Sequence, residues 1–387
     1  MILLKRRNFL SGAAAIGAGL MTGGMPRFAN AQSSEITVTA FGGVWEEAVR
    51  TCFVAPFEAK SKAKANVSLG GPPQWLAQVE ANPAKPPLDV LIMTPDLALT
   101  AAKADLVDDF TVANLPNLAK IPQQLTDSVM GKGTLFDYGV GGITFHRERV
   151  KSPPKSFAEF VDRVAAGEFV ASLPSISYAV TPIMLIWAMA KALGGGVDNV
   201  DPFFKAMEKM KDNLVFWAGP NDFFNHLSSG EAELGIYFDG RTWNHYDSGA
   251  TWIDFINPTE GGSLNGVAVQ KPKNANPLAW VYINEVLDAA NQTKFAEIMN
   301  YGVTNTDVVY SEKLKPRVTP WEKTAFPPYE QIALVPIEGA LRWTRECGRK
   351  HPRGGRRSAG RACHDFRIGN TQWPILRRLP FPEHSRC

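Results

Sequence analysis

Cysteine is scarce in most of this chain of 387 residues. Only Cys52 of the four cysteines precedes residue 344, so no disulfide can form within the body of the chain. Because Cys52 falls on the apolar stripe of a helical pattern, we expect a buried structural thiol and not a reactive one. No cysteine lies close after the N-terminal apolar segment, so the site at which exported proteins are lipidated is missing too.

Motifs of common enzyme chemistry are also missing. The body contains no Cys-x-x-Cys, no Gly-x-Ser-x-Gly and no Gly-x-Gly-x-x-Gly, the usual parts of thiol redox, α/β-hydrolase and dinucleotide sites. Its histidines are His146, His226 and His245. The last two lie near Asp239, on a predicted helix and a predicted turn, without the spacing of metal ligands. We therefore expect no catalytic residue, no metal site and no cofactor, with an exported enzyme as the rival class.

Long apolar runs are absent after residue 30, where no stretch has the roughly 18 consecutive apolar residues of a membrane-spanning helix. The shorter apolar run from Leu10 to Met21 follows Arg6-Arg7 and precedes Ala29-Asn30-Ala31. A basic start, a short apolar segment and small residues before a cleavage point are typical of an export signal. Residues 1–31 are thus predicted to be a twin-arginine signal, cleaved near Ala31, that directs a soluble protein to the periplasm. An ordinary secretory signal is the alternative.

The formal net charge of +3 conceals two regions of opposite sign. Residues 32–343 alone carry a net charge of about −9, which argues against nucleic acid or an anionic membrane surface as a partner. Residues 344–387 hold three cysteines and a large excess of basic over acidic residues. Because they lack strand or helix periodicity, we expect a basic, disordered and dispensable tail.

Strand and helix patterns alternate along the body, which predicts an α/β architecture with mainly parallel sheets. Residues 45–57 have helical apolar spacing, and Pro56 is expected to kink or restart that helix. Thr94 and Thr181, each followed by proline, are expected to open helices, the second of which ends before three glycines. The predicted strands are 36–40, 88–93, 233–238 and 252–256, and the predicted later helices are 277–290 and 292–301.

A series of short motifs runs through residues 35–343. It comprises Phe41-Gly42-Gly43, Pro56-Phe57-Glu58, Asp89-Val90 with Thr94, Gly230-Glu231 to Tyr237, Asp239-Gly240-Arg241, Asn257-Pro258 to Gly262, and Phe295 to Asn305. Seven motifs in this order resemble those of the extracellular solute-binding proteins of ABC importers. The branch that they resemble most is the spermidine/putrescine-binding, or polyamine-type, periplasmic group.

The resemblance implies a two-lobed periplasmic-binding-protein fold (type II-like), with the ligand cleft between lobes joined by a hinge. Lobe 1 would be residues 33–142 plus 262–310, lobe 2 would be residues 143–261, and helices within 311–343 would brace lobe 1. Strand ends and helix N-termini converge on such a cleft, and its closure gives a shape that a permease can recognise. The implied function is capture of a small molecule and its delivery to ABC permease subunits in the inner membrane, by a protein expected to be a monomer.

The residues at the amine-binding positions of that branch differ here. Where the polyamine binders carry an acidic pair, the alignment places Thr181 and Met184, and Ser263-Leu264-Asn265 replaces an aromatic wall and a carboxylate. Leaving a buried ammonium without its partner costs about 3 to 5 kcal/mol, so spermidine and putrescine are disfavoured. Arg241 would instead match a carboxylate or phosphonate with its planar fork. We expect a small organic anion or zwitterion as the ligand, with a polyamine as the alternative.

The expected ligand contacts combine ring faces, hydrogen-bonding side chains and a pair of opposite charges. A place in the core is the alternative role for Trp45 and Tyr237, and a solvated surface is the alternative for Arg241. The predicted ligand-binding set is Phe41, Gly43, Trp45, Thr94, Tyr138, Ser175, Ser177, Thr181, Asn221, Tyr237, Asp239 and Arg241, with Trp217 as a further ring.

Overall fold

A computed structural model of the chain describes residues 34–175, 181–219 and 221–332. The predicted signal and tail lie outside these ranges, as do residues 333–343. The strands described are β1 (Glu35–Ala40), β2 (Lys64–Leu69), β3 (Leu91–Met93), β4 (Thr134–His146), β5 (Ala171–Pro174), β6 (Leu214–Trp217), β7 (Leu234–Phe238), β8 (Ile253–Ile256), β9 (Ser263–Gln270) and β10 (Gly302–Val303).

The helices alternate with these strands over much of the chain. They are α1 (Val44–Val49), α2 (Ala55–Ser61), α3 (Pro72–Ala81), α4 (Pro95–Lys103), α5 (Gln123–Asp127), α6 (Phe157–Ala165), α7 (Thr181–Ala192), α8 (Asp201–Met210), α9 (Asp222–Ser229), α10 (Asp239–Asp247), α11 (Leu278–Val286), α12 (Ala289–Met299) and α13 (Tyr329–Ile332). Of the 311–343 segment that was expected to be helical, the described part contains a 3₁₀ turn (Trp321–Lys323) and α13.

The helical stretch after β1 is continuous but changes its pitch. The π-helical segment Arg50–Val54 joins α1 to α2. Pro56 is the second residue of α2, so the helix changes at this proline as predicted, here by a change of pitch within a continuous helical stretch. Cys52 is fully buried. Burial raises the pKa of its thiol to about 11, as expected of a structural cysteine.

Both threonine–proline steps open helices as predicted. Thr94 occupies the N-cap position of α4 in an extended conformation, although its side chain makes no capping hydrogen bond. α7 begins at Thr181, and Gly194 follows its end with φ of 88°, a left-handed conformation that favours glycine. The strand predicted for residues 88–93 is shorter than expected. Before β3, the carboxylate of Asp89 accepts hydrogen bonds from the backbone N–H groups of Thr37 and Asn276, at 2.7 and 2.8 Å, and Val90 forms an isolated bridge with Val38 of β1.

The larger sheet has the strand order β3-β9-β4-β7-β5-β6. β4 is antiparallel to β7, β8, β9 and β10, and β3 is antiparallel to β9. Parallel pairs described are β1 with β2, and β5 with both β6 and β7. The expectation of mainly parallel sheets is therefore wrong for this sheet. Parallel pairing needs crossovers that return the chain to the same end of the sheet, and the neighbours of β4 enter from the opposite end.

β4 is 13 residues long, is buried throughout and connects two groups of strands. On one edge it pairs with β9 through residues 134–141 and then with β8 through residues 143–146. On the other edge it pairs with β10 at residues 137–138 and with β7 at residues 141–145. A side chain at Gly142 would lie 2.6 Å from the Phe255 ring, so glycine is needed for this close packing.

Buried apolar side chains form a large cluster and a smaller one. The larger cluster includes Trp45, Phe53, Phe136 and Phe295, between the first helices and the sheet. The smaller cluster is centred on Phe223 of α9, beneath β6, β7 and β8. No helix within the described ranges is long and apolar enough to cross a membrane.

Candidate functional site

The 41–45 turn joins β1 to α1 and borders open space. Gly43 occupies the N-cap position of α1 with φ of 72°, a conformation that favours glycine. No atom lies within 4 Å of the position that a Cβ would take on Gly42 or Gly43. Phe41 is half-buried, and its ring meets that of Trp45 edge to face at 5.1 Å. The backbone of this turn is thus accessible to a ligand.

Trp45 lies on the inner side of the turn, with 8% of its surface exposed. Its ring packs edge to face against Phe295 and Phe136, with centroids 5.2 and 6.3 Å away. The Tyr301 ring lies 6.5 Å from it. Most of the Trp45 ring therefore stabilises the core, which was the alternative role.

Thr94 and Tyr138 lie at the start of α4 and in β4. Thr94 is half-buried, and the backbone N–H of Ala98 donates to its carbonyl. Tyr138 is 3% exposed, and its hydroxyl donates to the Thr319 carbonyl at 3.0 Å. Burial raises the pKa of Tyr138, so its phenol stays neutral. This side chain fastens β4 to the segment after β10.

The polar residues predicted around α7 have different surroundings. Ser175 is buried, and its backbone N–H donates to the Trp217 carbonyl at 2.8 Å, which continues the β5–β6 pairing. Ser177 lies outside the described residues. Thr181 is the first residue of α7, and its side chain is likewise outside the described part. Asn221 is exposed in front of α9 and makes no side-chain cap to that helix.

Tyr237 belongs to the smaller apolar cluster. It is 1% exposed and stacks on Phe223 with ring centroids 4.5 Å apart and planes 7° from parallel. Trp217 meets it edge to face at 5.1 Å, and the Trp217 indole N–H donates to the Ile236 carbonyl. The rings of Tyr237 and Trp217 thus pack mainly against protein, as the core alternative states.

Asp239, Gly240 and Arg241 form the first turn of α10. Although Asp-Gly is a typical turn signal, these residues belong to a helix, and the prediction that His245 lies on a turn is wrong because it belongs to the same helix. Asp239 is 1% exposed, and its Oδ1 accepts from the N–H groups of Val140 at 2.9 Å and Gly240 at 2.7 Å. Burial raises the pKa of Asp239 to about 7, and these hydrogen bonds oppose part of the rise. Arg241 is half-buried beside it.

Tyr301 was missing from the predicted set. It follows Asn300, which ends α12 in a left-handed conformation with φ of 53°. A side chain at Gly240 would overlap the Tyr301 ring, and one at Gly139 would lie 3.3 Å from it. The ring therefore lies between Trp45 and the start of α10. A tyrosine directly after a helix-ending Asn was the available sequence signal for a fixed ring.

His226 and His245 have separate partners in the structure. His226 Nδ1 lies 2.8 Å from the Ser172 hydroxyl, and its Nε2 lies 4.0 Å from Glu231. Ser172 is completely buried. His245 stacks on Phe224 at 4.0 Å, and burial lowers the pKa of both histidines. Within residues 34–175, 181–219 and 221–332, no cluster of three or more His, Cys, Asp and Glu side chains could hold a metal ion.

The chain matches known proteins in sequence and in structure. The sequence profile of the family described as bacterial extracellular solute-binding protein matches residues 53–325. A structure described as an extracellular solute-binding protein from Bordetella parapertussis is 28% identical, with a TM-score of 0.76 over 81% of this chain and 98% of its own. An ABC transporter structure from Clostridium perfringens is 21% identical, with a TM-score of 0.68 over 80% and 99%.

A third structure is described as the Atu4243-GABA receptor. It is 19% identical, with a TM-score of 0.64 over 84% of this chain and 99% of its own. No curated protein sequence matches the chain. The chain belongs to the bacterial extracellular solute-binding proteins, a family that serves transport and not catalysis, and it has the two-lobed α/β fold of its structural neighbours.

Proposed function

We propose that this member of the extracellular solute-binding family is the periplasmic binding component of an ABC importer. Its ligand is a small organic anion or a zwitterion, held between the lobes and delivered to permease subunits in the inner membrane. The arrangement of β4 supports this function, because a single strand connects two groups of strands and the 237–241 segment begins an α-helix beside it. A few backbone rotations near such a junction are enough to open and close a cleft.

The position of Arg241 carries the proposal of an anionic group. Its half-buried side chain lies in the first turn of the nine-residue helix α10, where the helix dipole also favours negative charge. A guanidinium is always charged and offers two parallel donors to a carboxylate or phosphonate. The neighbouring carboxyl of Asp239 accepts hydrogen bonds from the backbone N–H groups of Val140 and Gly240.

The residues at the amine-binding positions support the same choice against polyamines. Met184 is 2% exposed and packs in the larger cluster. Ser263 and Leu264 are buried in β9, and Asn265 donates from its side chain to the Ser263 carbonyl. None of these four residues supplies the carboxylate that a desolvated ammonium requires.

The N-terminal sequence supports the proposed location. Arg6-Arg7, the apolar run after Leu10 and the Ala29–Ala31 step compose an export signal. We propose that residues 1–31 are removed near Ala31 after export by the twin-arginine route. A mature N-terminus at Gln32 in periplasmic protein, identified by Edman degradation or mass spectrometry, would test this. A mature chain that retains residues 1–31 would contradict it.

The ligand class is tested by a thermal-shift screen of purified protein. The panel contains dicarboxylates, phosphonates, amino acids, spermidine, putrescine and GABA, a zwitterion chosen because one structural neighbour is described as its receptor. A compound at 100 times its Kd should stabilise the protein by about 2.7 kcal/mol. Calorimetry then gives the affinity of each hit. Micromolar or tighter binding of spermidine or putrescine would overturn the proposed class in favour of the polyamine alternative.

The role of Arg241 is tested with the best hit of that screen. Arg241→Ala should weaken binding by about 2 to 4 kcal/mol without unfolding the protein, and Arg241→Lys should recover only part of the loss because lysine lacks the planar fork. Arg163→Ala is the control, since Arg163 lies on α6 and bonds to Glu159 and Glu168. Unchanged affinity in Arg241→Ala would return this residue to the solvated surface and favour a neutral or cationic ligand.

A further inference from the structure

One edge of β4 has a gap in its strand pairing. β10 pairs with Asp137 and Tyr138, and the pairing with β7 begins only at Gly141. Between them, Gly139 and Val140 have no paired residue on this edge among the residues that the structure describes. The N–H of Val140 would lack a partner there, and a buried N–H without a partner is costly. The gap lies where β4 passes from one group of strands to the other.

The carboxylate of Asp239 fills this gap. Its Oδ1 accepts the Val140 N–H at 2.9 Å, across 99 residues of sequence, and the Gly240 N–H of its own helix at 2.7 Å. One oxygen therefore joins β4 to the first turn of α10. A Cβ built on Gly139 would lie 3.4 Å from this oxygen, so glycine there lets the carboxylate approach the strand.

The end of α12 and the residues after it also pack against the contact between β4 and α10. The Tyr301 ring packs on Gly240 and Gly139, and the side-chain amide of Asn244 donates to the Met299 carbonyl at 3.0 Å. Asn300 in turn donates to the side chain of Asn244. The first two turns of α10 are therefore held between β4 and the end of α12, with Asp239 as the bond to β4.

We propose that Asp239 is a positioning residue. It fastens the first turn of α10 to the gap in the strand pairing of β4, and so sets the direction of Arg241. This rests on the proposed function, in which Arg241 contacts the ligand. Asp239 was first expected to touch the ligand itself, and its burial assigns it the indirect role. Loss of the bond to Val140 leaves Arg241 on a turn that can move relative to the strand, and anion affinity falls with it.

The ionisation of Asp239 provides a readout that a purely structural side chain would lack. Burial raises the pKa of this carboxyl to about 7, so it changes charge within the pH range of ordinary binding measurements. Its charge acts on Tyr138 of β4 and on Tyr310 after β10, and Glu322 acts on the same two phenols. The Tyr301 ring lies against Gly240, and Arg241 is on the same helix turn as Asp239. Burial raises the pKa of Tyr138 and Tyr310, so both stay neutral while Asp239 titrates.

Nuclear magnetic resonance of the full chain tests the bond without any ligand. The amide signals of Val140 and Gly240 should shift together between pH 5 and 9 with a common midpoint near 7. Asp239→Asn keeps an acceptor oxygen but cannot ionise. In this variant the amide signals of Val140 and Gly240 should not titrate, and the Val140 amide should stay protected from hydrogen exchange. Asp239→Ala loses the acceptor, and hydrogen exchange at Val140 should be about tenfold faster. The control is Asp254→Asn, which removes a carboxylate on β8 that accepts a hydrogen bond from Arg147, and it should resemble the wild type.

The link to Arg241 is tested with GABA as the probe. Its affinity should vary with pH in the wild type, be independent of pH between 5 and 9 in Asp239→Asn, and fall at least about tenfold in Asp239→Ala. If GABA does not bind, it is not the ligand. The amide measurements, which need no ligand, still decide the role of Asp239. Independent midpoints for Val140 and Gly240, or unchanged exchange in Asp239→Ala, would overturn the proposal.

Discussion

The 41–45 turn and the 237–241 segment have the same plan, yet one is open and the other is closed. Each lies where a strand gives way to a helix, and each contains aromatic residues and glycine. In the first, both glycines border empty space. In the second, Gly240 lies against Tyr301, and Asp239 is bonded to β4. A strand–glycine–helix sequence therefore does not determine whether a turn is accessible, because a distant segment decides it.

The two regions also differ in charge. The first turn of α1 carries Glu46 and Glu47, whereas that of α10 carries Asp239 and Arg241. Acidic side chains neutralise the positive end of a helix dipole, so the start of α1 is a poor place for an anion. At the start of α10, the carboxyl of Asp239 accepts from backbone N–H groups, and Arg241 brings a positive charge to the same turn. Under the proposed function, the open turn would contact the uncharged part of the ligand and Arg241 would contact its anionic group.

The largest expected effect on stability comes from Trp45 in the open turn, and it tests whether this ring belongs to the core or to a ligand-binding wall. Trp45→Ala should lower the free energy of unfolding by about 3 to 5 kcal/mol, because the ring packs against Phe136 and Phe295. Urea titration followed by circular dichroism measures this loss. Trp45→Phe, which keeps an aromatic ring, is the control and should cost much less. A loss below 1 kcal/mol in Trp45→Ala, together with weaker ligand binding, would place the ring in the cleft and remove part of the contrast between the regions.

In the closed segment, the buried carboxyl of Asp239 should make the free energy of unfolding depend on pH. The pKa of Asp239 is raised from 3.8 to about 7 in the folded protein. Below about pH 4 the Asp239 carboxyl is protonated in both the folded and the unfolded protein. Between about pH 4 and 7 it stays protonated only in the folded protein, so the free energy of unfolding falls as the pH rises through this window. The fall due to Asp239 is on the order of 4 kcal/mol and is complete above its folded pKa. Asp239→Asn should lack it.

The measurement is urea unfolding at pH 4 and pH 8 for the wild type and Asp239→Asn. Comparing the two proteins is essential because Asp137, buried in β4, also has a raised pKa, and neither of its oxygens has a hydrogen-bond partner. Its contribution has the same sign and is common to both proteins. Equal changes in stability for the wild type and the variant would show that Asp239 is ionised normally in the folded state.

A matched pair of alanine substitutions compares the two glycines directly. Gly240→Ala would place a methyl group into the Tyr301 ring and 2.8 Å from the Asn300 carbonyl, so overpacking should cost about 1 to 3 kcal/mol. Gly42→Ala meets no atom within 4 Å and should change stability by less than about 0.5 kcal/mol. Melting temperatures of both variants decide the point. Similar losses at both positions would mean that the two turns are equally closed.

Local chemistry predicted the helices and strands well and the pairing poorly. Pro56, Thr94 and Thr181 mark helix starts through effects that act within one turn, and the structure confirms all three. The antiparallel pairing of β4 depends on contacts such as that between Gly141 and Ser263, 122 residues apart, which no local pattern encodes. The Asp239-Gly240 pair is a typical turn signal, but the bond from Asp239 to Val140 favours the helix.

The same limit applies to the site. An aromatic residue at the start of an amphipathic helix, such as Trp45, satisfies the pattern of a core residue and that of a ligand wall equally well. Tyr301 escaped prediction because its significance comes from contact with Gly240, on another helix. Arg241 is the residue for which sequence chemistry alone gave a specific expectation, because few side chains recognise a planar anion with two bonds.

The smallest expected effect concerns the tail, which should leave both regions unchanged. Residues 344–387 have a strong excess of basic residues and no strand or helix periodicity, so we expect them to contribute no apolar face to the fold. The contacts that form the open turn and the closed segment come from residues such as Phe295, Tyr301 and Val140, which all precede the tail. Deletion after Trp343 should therefore change the free energy of unfolding by less than about 0.5 kcal/mol and leave ligand affinity intact. Calorimetric scanning and titration of the shortened protein measure both quantities. A large drop in melting temperature with unchanged affinity would indicate that the tail stabilises the fold away from the site. Lost affinity at an unchanged melting temperature would indicate that the tail contributes to ligand binding.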